Sequence, residues 1–153
     1  MHSLIKLCVF DFDSTIMDGE TIDILAAANN ASNEVVSITK RSMNGELDFF
    51  ESLTARVKFL KGMPLSKADE ICKNLPIMPG ASELITALKQ KGVKVVVFSG
   101  GFHIATDKMQ EKLKFDANFA NILHHKDGIL TGEVGGEMMF GSSKGEMIDR
   151  LKG

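Results

Sequence analysis

The chain has 153 residues, of which 44% are hydrophobic and 25% charged, a length and composition typical of one soluble globular domain. Its 18 basic and 20 acidic residues give a net charge of -2 and are scattered along the chain. The sequence therefore lacks the basic stripe that binds nucleic acid, and no apolar run reaches the length of about 18 residues that crosses a bilayer. We therefore predict a protein that is neither disordered nor membrane-spanning and that does not bind nucleic acid.

The first predicted element is a strand over residues 4–10 (LIKLCVF), a short apolar run that leads directly into acidic residues. The small-residue cleavage site of a signal peptide is missing around it, so we predict a cytoplasmic protein. Cys8 lies in this run and Cys72 in a later amphipathic segment. This usage favours two reduced thiols over a disulfide framework or a metal site.

Residues 17–78 form an insert whose apolar residues follow helical spacing. One apolar stripe runs from Phe49 to Leu60, and Ser66 with Asp69 has the spacing of a capping box that opens a further helix. An insert that follows the first strand lies over the carboxyl end of that strand, where open α/β sheets bind ligands. We therefore predict a helical cap over residues 17–78 that acts as a lid.

The remaining elements predict an α/β fold. A helix over residues 81–91 leads into a second buried strand over 93–99 (VKVVVFS), which is the pattern of a parallel sheet. Another helix follows over 102–113, a β-hairpin with its turn at Lys126-Asp127-Gly128 lies within 121–140, and a last helix begins near Ser143. We predict a Rossmann-like core from residues 1–16 and 79–153, with the helical cap inserted and a small hairpin added.

The chemistry is concentrated in the sequence Asp11-Phe12-Asp13-Ser14-Thr15, directly after the first strand. Residues two apart in extended backbone project to the same side, so Asp11 and Asp13 can address one ligand. Two neighbouring carboxylates repel, and Mg²⁺ relieves this repulsion because it accepts carboxylate oxygens while it binds a substrate phosphate. One carboxylate can then attack phosphorus while the other transfers protons.

Two later segments offer contacts to a phosphate group. The second strand ends in Ser99-Gly100-Gly101, and Lys144 stands in a Ser-Ser-Lys-Gly sequence at a predicted helix start. A hydroxyl group and glycine backbone can approach phosphate oxygens, and a lysine adds a cation where a helix terminus already favours anions. These segments, in this order, indicate a phosphate-binding site.

The strings VFDFDSTIMDGETID, VVVFSGGF and SSKGE together resemble the haloacid dehalogenase superfamily, and within it the phosphoserine phosphatase family, over nearly the whole chain. The resemblance implies that O-phospho-L-serine and water give L-serine and phosphate through a phosphoaspartate, the last step of serine biosynthesis. It implies that Asp11 is the nucleophile and that Asp13 is the general acid and base. It also implies that Ser99, Gly100 and Lys144 hold the phosphoryl group.

Substrate choice, by the same resemblance, comes from the cap. Glu20 is expected to bind the substrate ammonium and Arg56 its carboxylate, which suits an amino acid because arginine binds a carboxylate through two parallel hydrogen bonds. Met43 and Phe49 are expected to line the closed pocket and exclude water.

The resemblance also assigns Mg²⁺ to Asp11 and to the backbone carbonyl of Asp13. The glycine- and aspartate-rich loop that completes the magnesium site of the family has no counterpart, since only residues 145–153 follow Lys144. We therefore expect a core that is incomplete at its C-terminal side, in a fragment of a longer enzyme that binds magnesium weakly and turns over poorly. Its uncovered apolar edge would favour association, of which a homodimer is one form.

Other functions remain open on the sequence. A related phosphatase for a different small metabolite, or a phosphotransferase that passes the phosphoryl group to homoserine, would share the motifs. An inactive regulatory module could retain only the phosphate site. Structural alternatives also exist, since Asp11 and Asp13 could cap a strand-to-helix turn, and Glu20 and Arg56 could be surface charges.

Overall fold

The structure, a computed structural model, describes residues 5–152. Within this range the strands form one four-stranded sheet in the order β1-β2-β3-β4. The strands are β1 (Leu7–Asp11), β2 (Lys94–Phe102), β3 (Ala117–Lys126) and β4 (Ile129–Gly136). Strands β1, β2 and β3 are parallel, whereas β4 is antiparallel to β3. The predicted α/β fold with a parallel core is confirmed, and Leu4 of the predicted first strand lies outside the described residues.

Side chains of β2 alternate between two apolar clusters on opposite faces of the sheet. Val95 and Val97 join the main hydrophobic cluster, whereas Val96 and Phe98 pack with Met138 in a smaller cluster on the other face. This burial on both faces explains the continuous apolar run of the second predicted strand, because a parallel strand covered on both sides has no polar face.

The predicted hairpin is present, but it is part of the main sheet. Asp127 and Gly128 form its turn with φ angles of 53° and 76°, the backbone that a tight two-residue hairpin requires. Strand β3 begins at Ala117, before the predicted start at Asn121, and its first half pairs with β2. Only its second half forms the hairpin with β4. The local turn signal predicts the hairpin of β3 and β4, but it does not predict that β3 also pairs with β2.

The helices of the core agree with their predicted positions. Helix α5 (Ala81–Gln90) stops before Gly92, whose φ of 78° suits glycine. Helix α6 (His103–Leu113) follows β2, and α7 (Ser143–Lys152) follows β4. In the part of the chain that is described, none of the helices is long and apolar enough to span a membrane.

Four helices and a 3₁₀ turn form the cap. They are α1 (Thr21–Ala28), α2 (Ser32–Met43), α3 (Phe49–Val57), the turn Lys58–Leu60 and α4 (Leu65–Lys73). A capping box is present at Asp48 and Glu51 of α3. The one predicted at Ser66 is wrong, because α4 begins after Pro64 without a side-chain cap. Asp69 instead pairs with Lys108 of α6 at 2.7 Å, a tertiary contact that local spacing does not reveal.

Backbone hydrogen bonds join the cap to the core at two places. Its entry and exit segments lie side by side, since the Asp18 amide donates to Pro76 and the Met78 amide donates to Ile16. The hairpin forms further backbone hydrogen bonds to the cap, from Gly62 to Leu130 and from Leu130 to Met63. One hydrophobic cluster runs through both parts. The assignment of residues 17–78 as a domain of their own stays a prediction.

Strand β1 lies at the edge of the sheet. Leu7 in this strand and Ile5 before it are exposed to 38% and 64%. An exposed apolar edge is a surface on which another chain can pair. The expected association, including a homodimer, stays a prediction.

Gly132 provides a test of the contact between hairpin and cap. Its φ is 86°, and an added Cβ would lie 3.3 Å from the Lys58 carbonyl oxygen and 3.0 Å from the Lys61 Cβ. Gly128 has a similar φ of 76° but open space around it. We expect Gly132→Ala to lower the free energy of unfolding by about 1–3 kcal/mol more than Gly128→Ala, measured by urea denaturation. Equal losses would mean that the cap does not pack tightly on the hairpin.

Candidate active site

A cavity of about 290 Å³ opens at the carboxyl ends of β1 and β2. The cap covers it from one side, and the start of α7 forms another wall. Most of the predicted site residues line it together: Asp11, Asp13, Glu20, Phe49, Arg56, Gly100 and Lys144. The parallel sheet accounts for this convergence, because strand ends that are far apart in sequence meet at one edge.

Asp11 is the last residue of β1 and faces the open part of the cavity. Its Oδ1 accepts hydrogen bonds from the Phe12 amide at 2.9 Å and from the Lys144 ammonium at 2.8 Å. The side chains of Asp11 and Lys144 are 49% and 44% exposed, so an arriving substrate can reach both. The pair places a carboxylate and a cation next to the same point in the cavity.

Asp13 occupies a different environment from Asp11. Its Oδ1 accepts from the Thr21 amide at 3.0 Å and from the Thr21 hydroxyl at 2.7 Å, at the N-terminus of α1. Burial raises the pKa of Asp13 to about 6, and the charges of Glu20 and Asp11 act in the same direction. The two bonds from Thr21 partly offset this rise in pKa, because they stabilise the ionised form. Asp13 can therefore exchange a proton near neutral pH.

Ser99, Gly100 and Gly101 belong to the last part of β2, where its pairing with β3 is irregular, and we call this segment the phosphate loop. The Ser99 side chain is fully buried, and its Oγ accepts from the Gly101 amide at 2.8 Å. A Cβ added at Gly101 would lie 3.0 Å from Ser99 Oγ and 3.1 Å from Asp13 Oδ2. A Cβ added at Gly100 would lie only 2.5 Å from the ring of Phe49. Both glycines thus allow the loop to approach groups of the site closely.

Glu20 and Arg56 line the cap side of the cavity. The Glu20 carboxylate accepts from the Ser14 hydroxyl at 2.9 Å, and the Arg56 Nε donates to the Ser52 carbonyl at 3.2 Å. Burial lowers the pKa of the Arg56 guanidinium, against the opposing influence of the carboxylates of Asp23, Glu20 and Asp13. The cap thus presents one anionic and one cationic side chain to the cavity.

Two predicted site residues do not line the cavity. Ser99 is the part of the phosphate loop that does not reach the cavity, and its hydroxyl accepts from the Gly101 amide. Met43 ends α2 and is 81% exposed, so the structure does not bring it to the cavity. Its predicted role in closing the pocket stays a prediction.

The sequence reasoning missed several side chains of the site. Thr21 fixes Asp13, Ser14 binds Glu20, and the rings of Phe50 and Phe140 stack with centroids 5.2 Å apart. Thr21 stands directly after the predicted Glu20 at the start of a helix, where a threonine often contributes hydrogen bonds, and this signal could have found it. No local pattern connects Phe50 with Phe140, because their contact depends on tertiary folding.

The donor set of the site fits magnesium. Among residues 5–152, no three His, Cys, Asp or Glu side chains are grouped closely enough to hold a metal ion. The cavity does contain the two carboxylates of Asp11 and Asp13. Magnesium is commonly bound by one or two carboxylates together with waters and substrate phosphate oxygens. These residues therefore match a metal that is shared between protein and substrate.

Comparisons with known proteins show the family to which the chain belongs. The family model of the haloacid dehalogenase-like hydrolases matches residues 5–151. The chain is 65% identical over 147 residues to a phosphoserine phosphatase of Wolinella succinogenes. The matched region covers 96% of this chain and 71% of the relative.

Solved structures of phosphoserine phosphatases have the same fold. One holds a phospho-aspartyl intermediate analogue and has a TM-score of 0.90 at 45% identity, over 97% of this chain and 71% of that chain. Another is a substrate-bound complex with a TM-score of 0.91 at 44% identity, over 98% of this chain and 71% of that chain. The chain belongs to the haloacid dehalogenase-like hydrolases and, within them, to the phosphoserine phosphatase family.

Proposed function

We propose that this chain hydrolyses O-phospho-L-serine to L-serine and phosphate through a phosphoaspartate on Asp11. The observation that carries the proposal is the 2.8 Å contact between Lys144 and Asp11 inside a cavity that also exposes Glu20 and Arg56. The relatives named phosphoserine phosphatase support the substrate, and the solved phospho-aspartyl analogue supports the intermediate.

The first half of the reaction transfers the phosphoryl group to the enzyme. An Asp11 carboxylate oxygen forms a bond to phosphorus while the bond from phosphorus to the seryl oxygen breaks. Asp13 gives its proton to the departing seryl oxygen, a role that suits a carboxyl group with a pKa of about 6. Lys144, Ser99 and the Gly100 backbone hold the phosphoryl oxygens during this step.

The second half releases phosphate. The ionised Asp13 takes a proton from a water molecule, whose oxygen attacks phosphorus and breaks the bond to Asp11. Asp13 ends the cycle protonated and Asp11 ionised, so the charges of the site are restored. The hydrogen bonds from Thr21 keep the Asp13 carboxylate in one orientation through both halves.

The cap supplies the contacts that recognise an amino acid. Glu20 binds the ammonium of the substrate and Arg56 its carboxylate, each by opposite charge. The ring of Phe49, which lies against Gly100, covers the cavity and excludes water. An enclosed site strengthens these charge interactions, because less water screens them.

Magnesium is part of the proposal, with the Asp11 carboxylate and the Asp13 backbone carbonyl as its protein ligands. When bound, magnesium neutralises charge between the attacking carboxylate and the phosphate.

We also propose that the chain acts at the last step of serine biosynthesis and in the cytoplasm. The thiol form of Cys8 and Cys72 supports the cytoplasmic location. The names of the relatives do not favour homoserine phosphotransfer, another metabolite or an inactive module.

Replacement of Asp11 tests the nucleophile. We expect Asp11→Asn to lower kcat for phosphate release from O-phosphoserine with magnesium by about 1,000-fold or more, because an amide cannot attack phosphorus. Asp18→Asn removes an exposed carboxylate from the same segment and should leave kcat unchanged. If Asp11→Asn retained most of the turnover, the phosphoaspartate route would be wrong.

Replacement of Arg56 tests the contact to the substrate carboxylate. We expect Arg56→Ala to lower kcat/KM for O-phosphoserine by about 100-fold, because an ionised group loses its partner. O-phosphoethanolamine has the ammonium but no carboxylate, so kcat/KM for it should change by less than about threefold. The control Arg41→Ala removes an exposed arginine paired with Glu46 and should affect neither substrate. Equal losses on both substrates would argue against the carboxylate contact.

The raised pKa of Asp13 predicts a pH dependence of stability. Its folded-state pKa of about 6 exceeds the ordinary 3.8, so its contribution to stability falls as the pH rises from about 4 to 6. Asp13→Asn removes this effect. In metal-free buffer, the free energy of unfolding is measured by urea denaturation at pH 4 and pH 7. Relative to the wild type, the value for Asp13→Asn should rise by up to about 3 kcal/mol between these pH values. For the control Asp18→Asn, the difference in unfolding free energy from the wild type should stay nearly constant over this pH range. A constant difference for Asp13→Asn would refute the raised pKa of Asp13.

A further inference from the structure

Asn121 lies where strand β3 changes partners. It pairs with Phe102 of β2 on one side and with Gly136 of β4 on the other. Its side chain is fully buried. A buried amide is costly unless its polar atoms are hydrogen-bonded, so its bonds determine what it can do.

The Asn121 side chain bonds to two separate backbone segments. Its Nδ2 donates to the Gly100 carbonyl at 3.1 Å and to the Met138 carbonyl at 2.9 Å. Its Oδ1 accepts from the Met138 amide at 2.8 Å. Both amide hydrogens and the oxygen are therefore used, and only one orientation of the amide satisfies all three bonds.

These two segments form opposite parts of the proposed active site. Gly100 belongs to the phosphate loop, and Met138 belongs to the segment that leads from β4 to Lys144. Both residues line the cavity. One buried side chain thus connects the loop and the lysine that are proposed to hold the same phosphoryl group.

The neighbouring Gly136 leaves room for this arrangement. A Cβ at position 136 would lie 2.7 Å from the Asn121 Cα and 2.9 Å from its Oδ1. Glycine therefore allows β4 to approach the asparagine closely. The Asn121 amide therefore depends on the absence of a side chain at position 136.

We propose that Asn121 is a positioning residue that fixes the distance between the phosphate loop and Lys144, a role that rests on the proposed function. It contacts neither substrate nor reacting atoms and acts through the Gly100 and Met138 backbones. Small displacements of such groups reduce phosphate binding, because the donors no longer meet the phosphoryl oxygens together.

Asn118 offers a matched control. It lies in the same strand, and its amide donates to Asp107 at 2.9 Å and Gln110 at 2.6 Å while its oxygen accepts from Thr106 at 2.6 Å. These partners belong to α6 and none of them lines the cavity. Asn118→Ala thus removes a comparable set of bonds from β3 without affecting the phosphate loop directly.

The experiment compares Asn121→Ala with Asn118→Ala in the full chain. Isothermal titration calorimetry with inorganic phosphate, in the presence of magnesium, measures the affinity for phosphate. Relative to the wild type, binding should be about tenfold weaker for Asn121→Ala and less than about twofold weaker for Asn118→Ala. The backbone amide resonances of Gly100 and Gly101 should shift in the phosphate-free Asn121→Ala variant alone. Similar affinities and unshifted glycine resonances would overturn the role of Asn121.

A measurement on the wild-type chain covers the case in which Asn121→Ala does not fold. Added inorganic phosphate should shift the side-chain amide resonances of Asn121 but not those of Asn118, because only the first amide is bonded to the phosphate loop. Unmoved Asn121 resonances in a chain that binds phosphate would overturn the positioning role alone. A wild-type chain that binds no phosphate would instead contradict the proposed function, and the positioning role with it.

Discussion

Two anions, the Asp11 carboxylate and a substrate phosphate, have to meet at the end of strand β1 for the proposed reaction to occur. Their repulsion is the constraint to which the rest of the site responds. Lys144, 133 positions later in the chain, contacts Asp11 directly. The parallel sheet brings the phosphate loop to the same edge, where the backbone of its glycines can approach phosphate oxygens. The fold is thus required chiefly to gather positive charge and donors around one carboxylate.

The two aspartates of the motif differ because their surroundings differ. Asp11 is half-exposed beside a lysine, whereas Asp13 is less exposed and its partial burial raises its pKa to about 6. An exposed carboxylate beside a lysine and a carboxyl group whose pKa is raised can serve as nucleophile and as proton carrier in the same reaction. The sequence places them two residues apart, on one side of an extended chain. The difference between them arises chiefly from the burial of Asp13, which the hydrogen bonds from Thr21 partly offset.

The motifs, the strands and the hairpin turn could be predicted because each depends on a few neighbouring residues. Asp11 and Asp13 follow an apolar strand, and Asp127-Gly128 marks a turn, whatever the rest of the chain does. Features that depend on distant partners were missed. The pairing of β3 with β2, the bonds of Asn121 and the partner of Asp69 all connect segments far apart in the sequence. Local periodicity has no means of identifying such partners.

The contacts between the cap and the core differ in kind between the hairpin and the cavity. At the hairpin end, backbone hydrogen bonds join Gly62 and Met63 to Leu130 beside a buried apolar cluster. At the cavity end, the contacts are aromatic: Phe49 lies on Gly100, and Phe50 stacks on Phe140, with both stacked rings partly exposed. Such a ring pair stabilises by only about 0.5–1.5 kcal/mol, whereas unpaired buried backbone groups cost more. Separation of the aromatic contacts therefore requires less free energy than separation of the backbone hydrogen bonds at the hairpin.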